Sequence, residues 1–126
     1  MRTKGEARPS VPVRVPYVEL RSRSAFSFLE GASTPEDLVE NAARLGHEAL
    51  ALADRDGVYG APRFWKAGKS AGLRTIVGAE VTVARKRGTV PMGRVLLLVA
   101  SRTGYRNLCK LITRGRARAP KGQCLT

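Results

Sequence analysis

Charged side chains lie within or just after apolar segments that have the pattern of strands, and they include both arginines and carboxylates. They are Arg21, Arg23, Glu30, Asp54, Arg55, Asp56 and Glu80. An arginine stays protonated and has no free lone pair, so it cannot ligate a metal ion. It can instead neutralise a carboxylate or hold a phosphate with its planar fork of donors. The residue types leave both interpretations open, and the carboxylates favour the ion-pair network because they weaken the local positive field.

The elements that must position these side chains are predicted from periodicity and cap signals. Segments 17–20, 49–53, 75–83 and 94–100 predict strands, and segments 35–45, 58–71 and 102–113 predict helices. Thr34 and Ser101 are suited to cap the first and last helices, and the turn around residues 85–93 has the pattern of a hairpin tip. The residues predicted to face inward are Leu38, Ala42 and Leu45 on the first helix and Tyr105, Leu108 and Ile112 on the last. The order β-α-β-α-β-β-α indicates an α/β fold of mainly parallel strands with alternating helices. Right-handed crossovers bring the C-terminal ends of such strands to one rim, which gathers the charged residues there.

The formal net charge of +13 lies at the two ends of the chain. Residues 15–80 hold eight Lys or Arg against nine Asp or Glu, whereas residues 81–126 hold eleven basic side chains and no carboxylate. This distribution predicts a flexible basic leader over residues 1–16, a folded domain over 17–113 and a basic C-terminal tail over 114–126. The tail is dense enough to attract nucleic-acid phosphates through Arg114, Arg116, Arg118 and Lys121.

Membrane and disulfide classes are disfavoured by the composition. No apolar segment reaches the roughly 18 residues that span a bilayer, and the N-terminus lacks the apolar stretch of a signal peptide. We therefore expect a cytoplasmic protein with no membrane partner. Cys109 and Cys124 are far apart in sequence and form no paired motif, which predicts two reduced thiols. His47 is the one histidine and follows a helix-ending glycine, which is typical of a surface or capping role.

Three ordered segments resemble the signatures of the polymerase and histidinol phosphatase (PHP) domain. The first covers residues 19–33 and contains Glu19-Leu-Arg-Ser-Arg23, the second contains Leu52-Ala-Asp-Arg-Asp-Gly57, and the third is Ile76-Val-Gly-Ala-Glu80. Residues 104–114 and 119–122 are similar to the continuation of this domain in bacterial error-prone DNA polymerases of the C family, which are related to the polymerase III alpha subunit. The resemblance runs from residue 17 almost to the end of the chain.

This resemblance implies a (β/α)7 barrel whose strand ends gather divalent metal ions through an H-x-H motif, a histidine between two aspartates, and carboxylates. Here Arg21 and Arg23 stand at the H-x-H positions and Arg55 stands between the two aspartates, so only Glu30 and Glu80 remain as implied ligands. We therefore expect a partial PHP-type barrel with a degenerate metal site. Our hypothesis is that the arginines pair with the carboxylates at positions 30, 54, 56 and 80, which would otherwise repel one another.

Cofactor and partner expectations follow from the same resemblance. No cofactor is expected for this chain, although PHP sites of the family bind divalent metals and the family's polymerase core uses magnesium. The expected partner is DNA, reached through a missing polymerase core or the basic tail, together with other translesion or replication proteins. A barrel that stops after about half of its strands leaves backbone groups unpaired, so we expect the purified chain to be partly unfolded or oligomeric.

Three functions remain in competition. The first is an N-terminal PHP fragment of an error-prone DNA polymerase in damage-tolerant DNA synthesis and repair, serving as a structural or interaction module. Its parent would be a nucleotidyltransferase, but the chain itself lacks the polymerase core and has no expected catalytic residue. The second is a free-standing PHP metal-dependent phosphoesterase, which the lost histidines disfavour. The third is a small basic nucleic-acid-binding module, which is compatible with the first.

Overall fold

The computed structural model describes residues 16–85, 91–120 and 123–124, and these residues form four strands and three helices. In chain order the elements are β1 (Glu19–Ser22), α1 (Pro35–Arg44), β2 (Ala49–Arg55), α2 (Ala61–Ala71), β3 (Arg74–Ala84), β4 (Pro91–Leu98) and α3 (Arg102–Arg118). The predicted order of strands and helices is confirmed. Most of the predicted leader, residues 1–15, lies outside the described residues.

The four strands form one curled sheet in the order β1-β2-β3-β4. β1 pairs with β2 and β2 with β3 in parallel, while β3 and β4 are antiparallel. The architecture is thus an α/β half-barrel, which confirms the predicted class and agrees with a partial PHP barrel. The apolar run at 49–53 is buried throughout, as expected for a central parallel strand. The register sets Arg55 opposite Glu80, so the charged residues do meet at one rim.

Helices α1 and α2 pack together on one face of the sheet, with α1 against β2 and α2 against β3. The first begins with a capping box in which Thr34 accepts from the Asp37 backbone N–H and the Asp37 side chain accepts from Thr34 N–H. The second ends at Gly72, whose φ of 68° is the left-handed conformation that glycine adopts freely. Their shared core consists of Val39, Ala42, Leu50, Leu52, Phe64 and Leu73. Leu45 was expected on the inner face of α1 but is exposed.

Helix α3 forms a second core on β3 with Ala79, Val81, Leu108, Ile112 and Cys124. Ser101 caps it as predicted, by accepting from Gly104 N–H. The predicted end at residue 113 is wrong, because α3 continues to Arg118 and ends just before Pro120, whose ring disfavours helical conformation in the preceding residue. Arg114, Arg116 and Arg118 therefore lie on a helix that packs against the sheet. Tyr105, predicted to face inward, is exposed.

The structure bears on three further expectations. None of the helices in the described part of the chain is long and apolar enough to cross a membrane. Both cysteines are free, with Cys124 buried and Cys109 partly buried. The predicted hairpin tip between β3 and β4 includes residues 86–90, which lie outside the described ranges.

The core on α2 gives a direct test of the fold. Phe64 is fully buried, whereas its neighbour Trp65 is 55% exposed on the same helix. We expect Phe64→Ala to lower the free energy of unfolding in urea by about 3–5 kcal/mol, because it leaves a cavity between α1, α2 and β2. Trp65→Ala is the matched control and should change that energy by about 0.5 kcal/mol or less. Equal effects of the two substitutions would contradict this packing.

Candidate functional site

Glu80 is the most enclosed carboxylate of the rim. It lies on β3 with only 1% of the residue exposed, and its two carboxylate oxygens accept hydrogen bonds from separate arginines. Arg21 Nη2 donates to Oε1 and Arg23 Nη2 donates to Oε2. The arginines are two residues apart at the end of β1, which places both on the same side of the strand. A buried carboxylate is therefore held by two cations from a strand that lies two places away in the sheet.

Glu30 is the second carboxylate and collects three guanidinium groups. Its Oε1 lies 2.8 Å from Arg55 Nη1, and its Oε2 lies 2.9 Å from Arg23 Nη1. Arg94 binds it with two parallel bonds, both of 2.8 Å. The pKa of Glu30 is held below its ordinary value chiefly by the hydrogen bonds from Arg94, with further help from the charges of Arg94, Arg23 and Arg55. Arg23 links the two carboxylates, so the contacts form one network.

Arg94 was missed by the sequence reasoning. It lies on β4 opposite Thr82, and Glu80 is two residues before Thr82 on β3. Side chains two apart on a strand share a face, so Arg94 and Glu80 lie on the same face of the sheet. Arg94 Nη1 is 4.0 Å from Glu80 Oε2, at the outer limit of an ion pair. The antiparallel register that delivers this arginine depends on the turn between β3 and β4, whose geometry the sequence pattern does not specify.

Asp54 and Asp56 take other partners, so the hypothesis that all four carboxylates pair with arginine is corrected. Asp54 is buried and accepts from Ser24 N–H, Ser24 Oγ and Ser27 Oγ, each at 2.7 Å. Asp56 accepts from Thr82 N–H at 2.7 Å and from Thr82 Oγ1 at 2.6 Å. Hydroxyl and backbone donors of the loop after β1 satisfy Asp54, and those of Thr82 on β3 satisfy Asp56. The two aspartates fasten loops, and the two glutamates hold the arginines.

The loop between β1 and α1 positions Glu30 by turning back on itself. Gly31 lies so close to the backbone that a Cβ there would come within 2.2 Å of the Ser24 carbonyl oxygen. Gly31 N–H and Glu30 N–H both donate to the Ser27 carbonyl oxygen, at 3.0 and 2.9 Å. Leu29 adopts a φ of 63°, which is uncommon for a residue with a side chain. Together with the bonds to Asp54, these contacts fix the direction in which Glu30 points.

The residues of the rim do not fit a divalent metal ion. The three positions that the resemblance assigns to histidine carry guanidinium groups, which have no lone pair to give. The oxygens of Glu30 and Glu80 already accept from these groups. Among residues 16–85, 91–120 and 123–124, no three His, Cys, Asp or Glu side chains come together as a metal-binding group. One donor is left over, since Arg23 Nε is buried and finds no acceptor in the described part of the chain.

The arginines expected to contact nucleic acid do not form one patch. Arg114 and Arg118 are four residues apart and share a side of α3, whereas Arg116 points to the opposite side. Arg114 lines a shallow depression together with residues of β4. Arg116 reaches the rim, where its Nη2 donates to the Asp56 carbonyl oxygen at 2.7 Å and its Cζ lies 5.5 Å from the centroid of the Tyr59 ring. Lys121 lies outside the described residues.

Comparison with known proteins identifies the family. The sequence profile of the PHP domain matches residues 19–123. This chain belongs to the PHP domain family. The error-prone DNA polymerase of Anaeromyxobacter sp. (strain K) is 54% identical over 98 residues, which is 78% of this chain and 9% of that relative. The error-prone DNA polymerase of Mycobacterium tuberculosis (strain H37Rv) is 49% identical over 107 residues, 82% of this chain and 10% of the relative.

The PHP match concerns the N-terminal region of these polymerases, and the chain spans about a tenth of their length. Two solved structures share the fold. A protein of Bifidobacterium adolescentis assigned as a metal-dependent phosphoesterase has a TM-score of 0.56 at 24% identity, over 79% of this chain and 33% of that chain. An amidohydrolase from Chromobacterium violaceum, with bound sulfate and no metal, has a TM-score of 0.60 at 27% identity over the same shares.

The lowered pKa of Glu30 makes the network sensitive to acid. A folded-state pKa below the ordinary value of 4.5 stabilises the fold above that pH, and the contribution is lost as the pH falls through the lowered pKa. We expect wild type to lose stability between about pH 5 and about pH 3, and Glu30→Gln to lose less over the same interval. Urea unfolding at each pH measures this difference.

Glu40→Gln provides the control for the pH experiment, because it removes one carboxylate from the exposed side of α1. This variant should follow the wild-type pH profile. If the free energies of unfolding of Glu30→Gln and wild type change in parallel with pH, Glu30 does not form its ion pairs with Arg23, Arg55 and Arg94.

Proposed function

We propose that this chain is a PHP module of the kind found at the N-terminus of error-prone DNA polymerases, and that it serves damage-tolerant DNA synthesis as a structural or interaction module without catalysis of its own. Its similarity to error-prone DNA polymerases supports the proposed role in DNA synthesis. The observation that supports the non-catalytic role is that Arg21, Arg23 and Arg55 bind Glu30 and Glu80. In this proposal the four contacts replace the cross-linking that a metal ion would give to the rim.

Nucleotidyl transfer itself is not assigned to these residues. Two-metal transfer needs carboxylates that hold two ions a few ångströms apart beside a primer end and a nucleotide. The carboxylates of the rim accept from guanidinium, serine or threonine groups instead. DNA would then meet the module through a polymerase core joined to it or through its own basic side chains. Other replication or translesion proteins are proposed partners of the same module.

A second candidate function is metal-free binding of a phosphate or sulfate at the rim. Within the ion-pair network four arginines meet two glutamates, while Asp54 and Asp56 accept hydrogen bonds from serine, threonine and backbone donors. Arg23 Nε is also a buried donor without an acceptor among the described residues. The Chromobacterium violaceum amidohydrolase, which shares the fold and has bound sulfate and no metal, supports this candidate. The carboxylates lower the anion affinity of the arginines, which is why the structural network remains the preferred proposal.

A free-standing phosphoesterase is the third candidate. It would require metal-bound hydroxide to attack a phosphate ester, and the described residues do not form the ligand set for that ion. Metal-dependent release of phosphate from a test substrate, abolished by Glu80→Ala, would support this function over the other two.

Metal content separates the phosphoesterase from the two metal-free proposals. We expect elemental analysis of the purified chain to find fewer than about 0.1 zinc or manganese ions per molecule, because guanidinium groups repel the cation. The triple variant Arg21→His, Arg23→His and Arg55→His should gain about one bound zinc ion, since imidazole restores lone pairs beside Glu30 and Glu80.

Two arginine-to-histidine changes on exposed helix positions, Arg44→His and Arg63→His, control for the gain of histidine alone and should bind no stoichiometric metal. Stoichiometric zinc or manganese in the wild-type chain would refute the non-catalytic proposal. A triple variant that is folded by circular dichroism and binds no zinc would contradict the expectation that the three arginines stand at metal-ligand positions.

A further inference from the structure

A cavity of about 590 Å³ opens beside the network, where α3 approaches the rim. Three aromatic side chains line it and remain accessible to solvent: Phe28 is 73% exposed, Tyr59 is 56% exposed and Phe26 is 41% exposed. Exposed apolar groups that are bordered by polar residues are typical of binding sites. The sequence alone gave little reason to expect it, since these rings fall in predicted loops or at a helix start.

Arginine side chains lie over two of these rings. The Phe26 and Tyr59 rings are 6.4 Å apart between centroids. Arg116 Cζ lies 5.5 Å from the Tyr59 centroid, and Arg63 Cζ lies 5.8 Å from the Phe26 centroid. Tyr59 also rests on Gly57, where a Cβ would come within 2.5 Å of ring carbon Cε2. The tyrosine is thus held in place by contacts that leave more than half of the residue accessible.

The charge around the cavity is positive. Arg55, Arg94 and Arg116 line it, and Asp56 is the acidic residue of the lining. The Asp56 carboxylate accepts hydrogen bonds from Thr82. Arg116 donates a hydrogen bond to the neutral backbone carbonyl of Asp56. Arg55 and Arg94 share Glu30 with a third arginine, so one carboxylate serves three cations. An anionic ligand at the cavity would therefore meet donors whose charge is not fully neutralised.

We propose that this aromatic groove, formed by Phe26, Phe28, Tyr59, Arg55, Arg94 and Arg116, binds single-stranded nucleic acid. Bases stack on the rings and the arginines contact the phosphates, which is the combination that recognises single strands without sequence preference. A duplex keeps its bases stacked on one another, so its bases cannot reach the rings. An acidic peptide would satisfy the arginines but would leave the exposed ring faces unused.

Base stacking is tested by comparing two labelled oligomers of about ten nucleotides, one of thymidine and one abasic, by fluorescence anisotropy in about 0.2 M salt. The two carry equal numbers of phosphates, so we expect the thymidine oligomer to bind more tightly. Phe28→Ala and Tyr59→Ala should each weaken its binding by about 5- to 150-fold and leave the abasic oligomer nearly unaffected. Tyr59→Phe should retain binding, because it keeps the ring.

Trp65→Ala is the matched aromatic control, since Trp65 is exposed on α2, lies outside the cavity lining and carries Lys69 over its ring at 5.2 Å. It should bind thymidine oligomer as wild type does. Equal affinity for the two oligomers, or an effect of Trp65→Ala as large as that of Tyr59→Ala, would overturn the proposal. Displacement of the oligomer by polyglutamate at equal charge concentration would also overturn it, by assigning the groove to acidic peptides.

The phosphate contacts have a separate readout in the salt dependence. The logarithm of the binding constant falls linearly with the logarithm of the salt concentration. For a single strand, each phosphate that the protein neutralises adds about 0.7 to the steepness of this line. Arg116→Gln should reduce the slope by roughly that amount. Arg114→Gln, on the opposite side of α3, should leave it unchanged, and a slope that responds equally to both changes would mean that the groove does not direct the phosphates.

Discussion

The buried charge of Glu80 is the constraint on which the rim depends. A carboxylate removed from water costs several kcal/mol unless cations and hydrogen bonds compensate it. Arg21 and Arg23 give that compensation from β1, and Arg23 also binds Glu30, which in turn binds Arg55 and Arg94. One buried charge on β3 thereby connects the end of β1, the loop after it, the end of β2 and the start of β4. Removing either glutamate leaves an arginine without its carboxylate, whereas removing one arginine leaves each glutamate with at least one other.

A guanidinium network and a metal centre solve the same electrostatic problem by different chemistry. A divalent ion draws carboxylates and imidazoles towards one point through their lone pairs, whereas arginines donate hydrogen bonds from long side chains attached to different strands. The arginine arrangement therefore neutralises the glutamates and ties strands together, but it offers no Lewis acid to a substrate. This difference separates the proposed module from a phosphoesterase of the same fold.

The fold could be predicted well from the sequence, because local rules determine most of it. Thr34 and Ser101 cap helices wherever they precede suitable segments, and Gly72 ends α2 through its own backbone freedom.

The rim was predictable to the extent that parallel strands bring Arg55 and Glu80 together. The hydrogen-bond partners of Asp54 could not be predicted, because they depend on a loop in which Leu29 adopts a left-handed conformation. Arg94 depends on an antiparallel register, and the exposure of Tyr105 depends on which neighbours face α3. Neither property is encoded in periodicity.

The central claim is that Glu80 is held by arginine, and a double-mutant cycle between Arg23 and Glu80 tests it most directly. Urea unfolding of wild type, Arg23→Gln, Glu80→Gln and the double variant gives the coupling energy. The account predicts a coupling of about 1–3 kcal/mol, because one partner is buried, against about 0.2–1 kcal/mol for the same cycle on the exposed pair Arg63 and Glu36. A coupling for Arg23 and Glu80 that is near zero, or no larger than that of the exposed pair, would contradict the account.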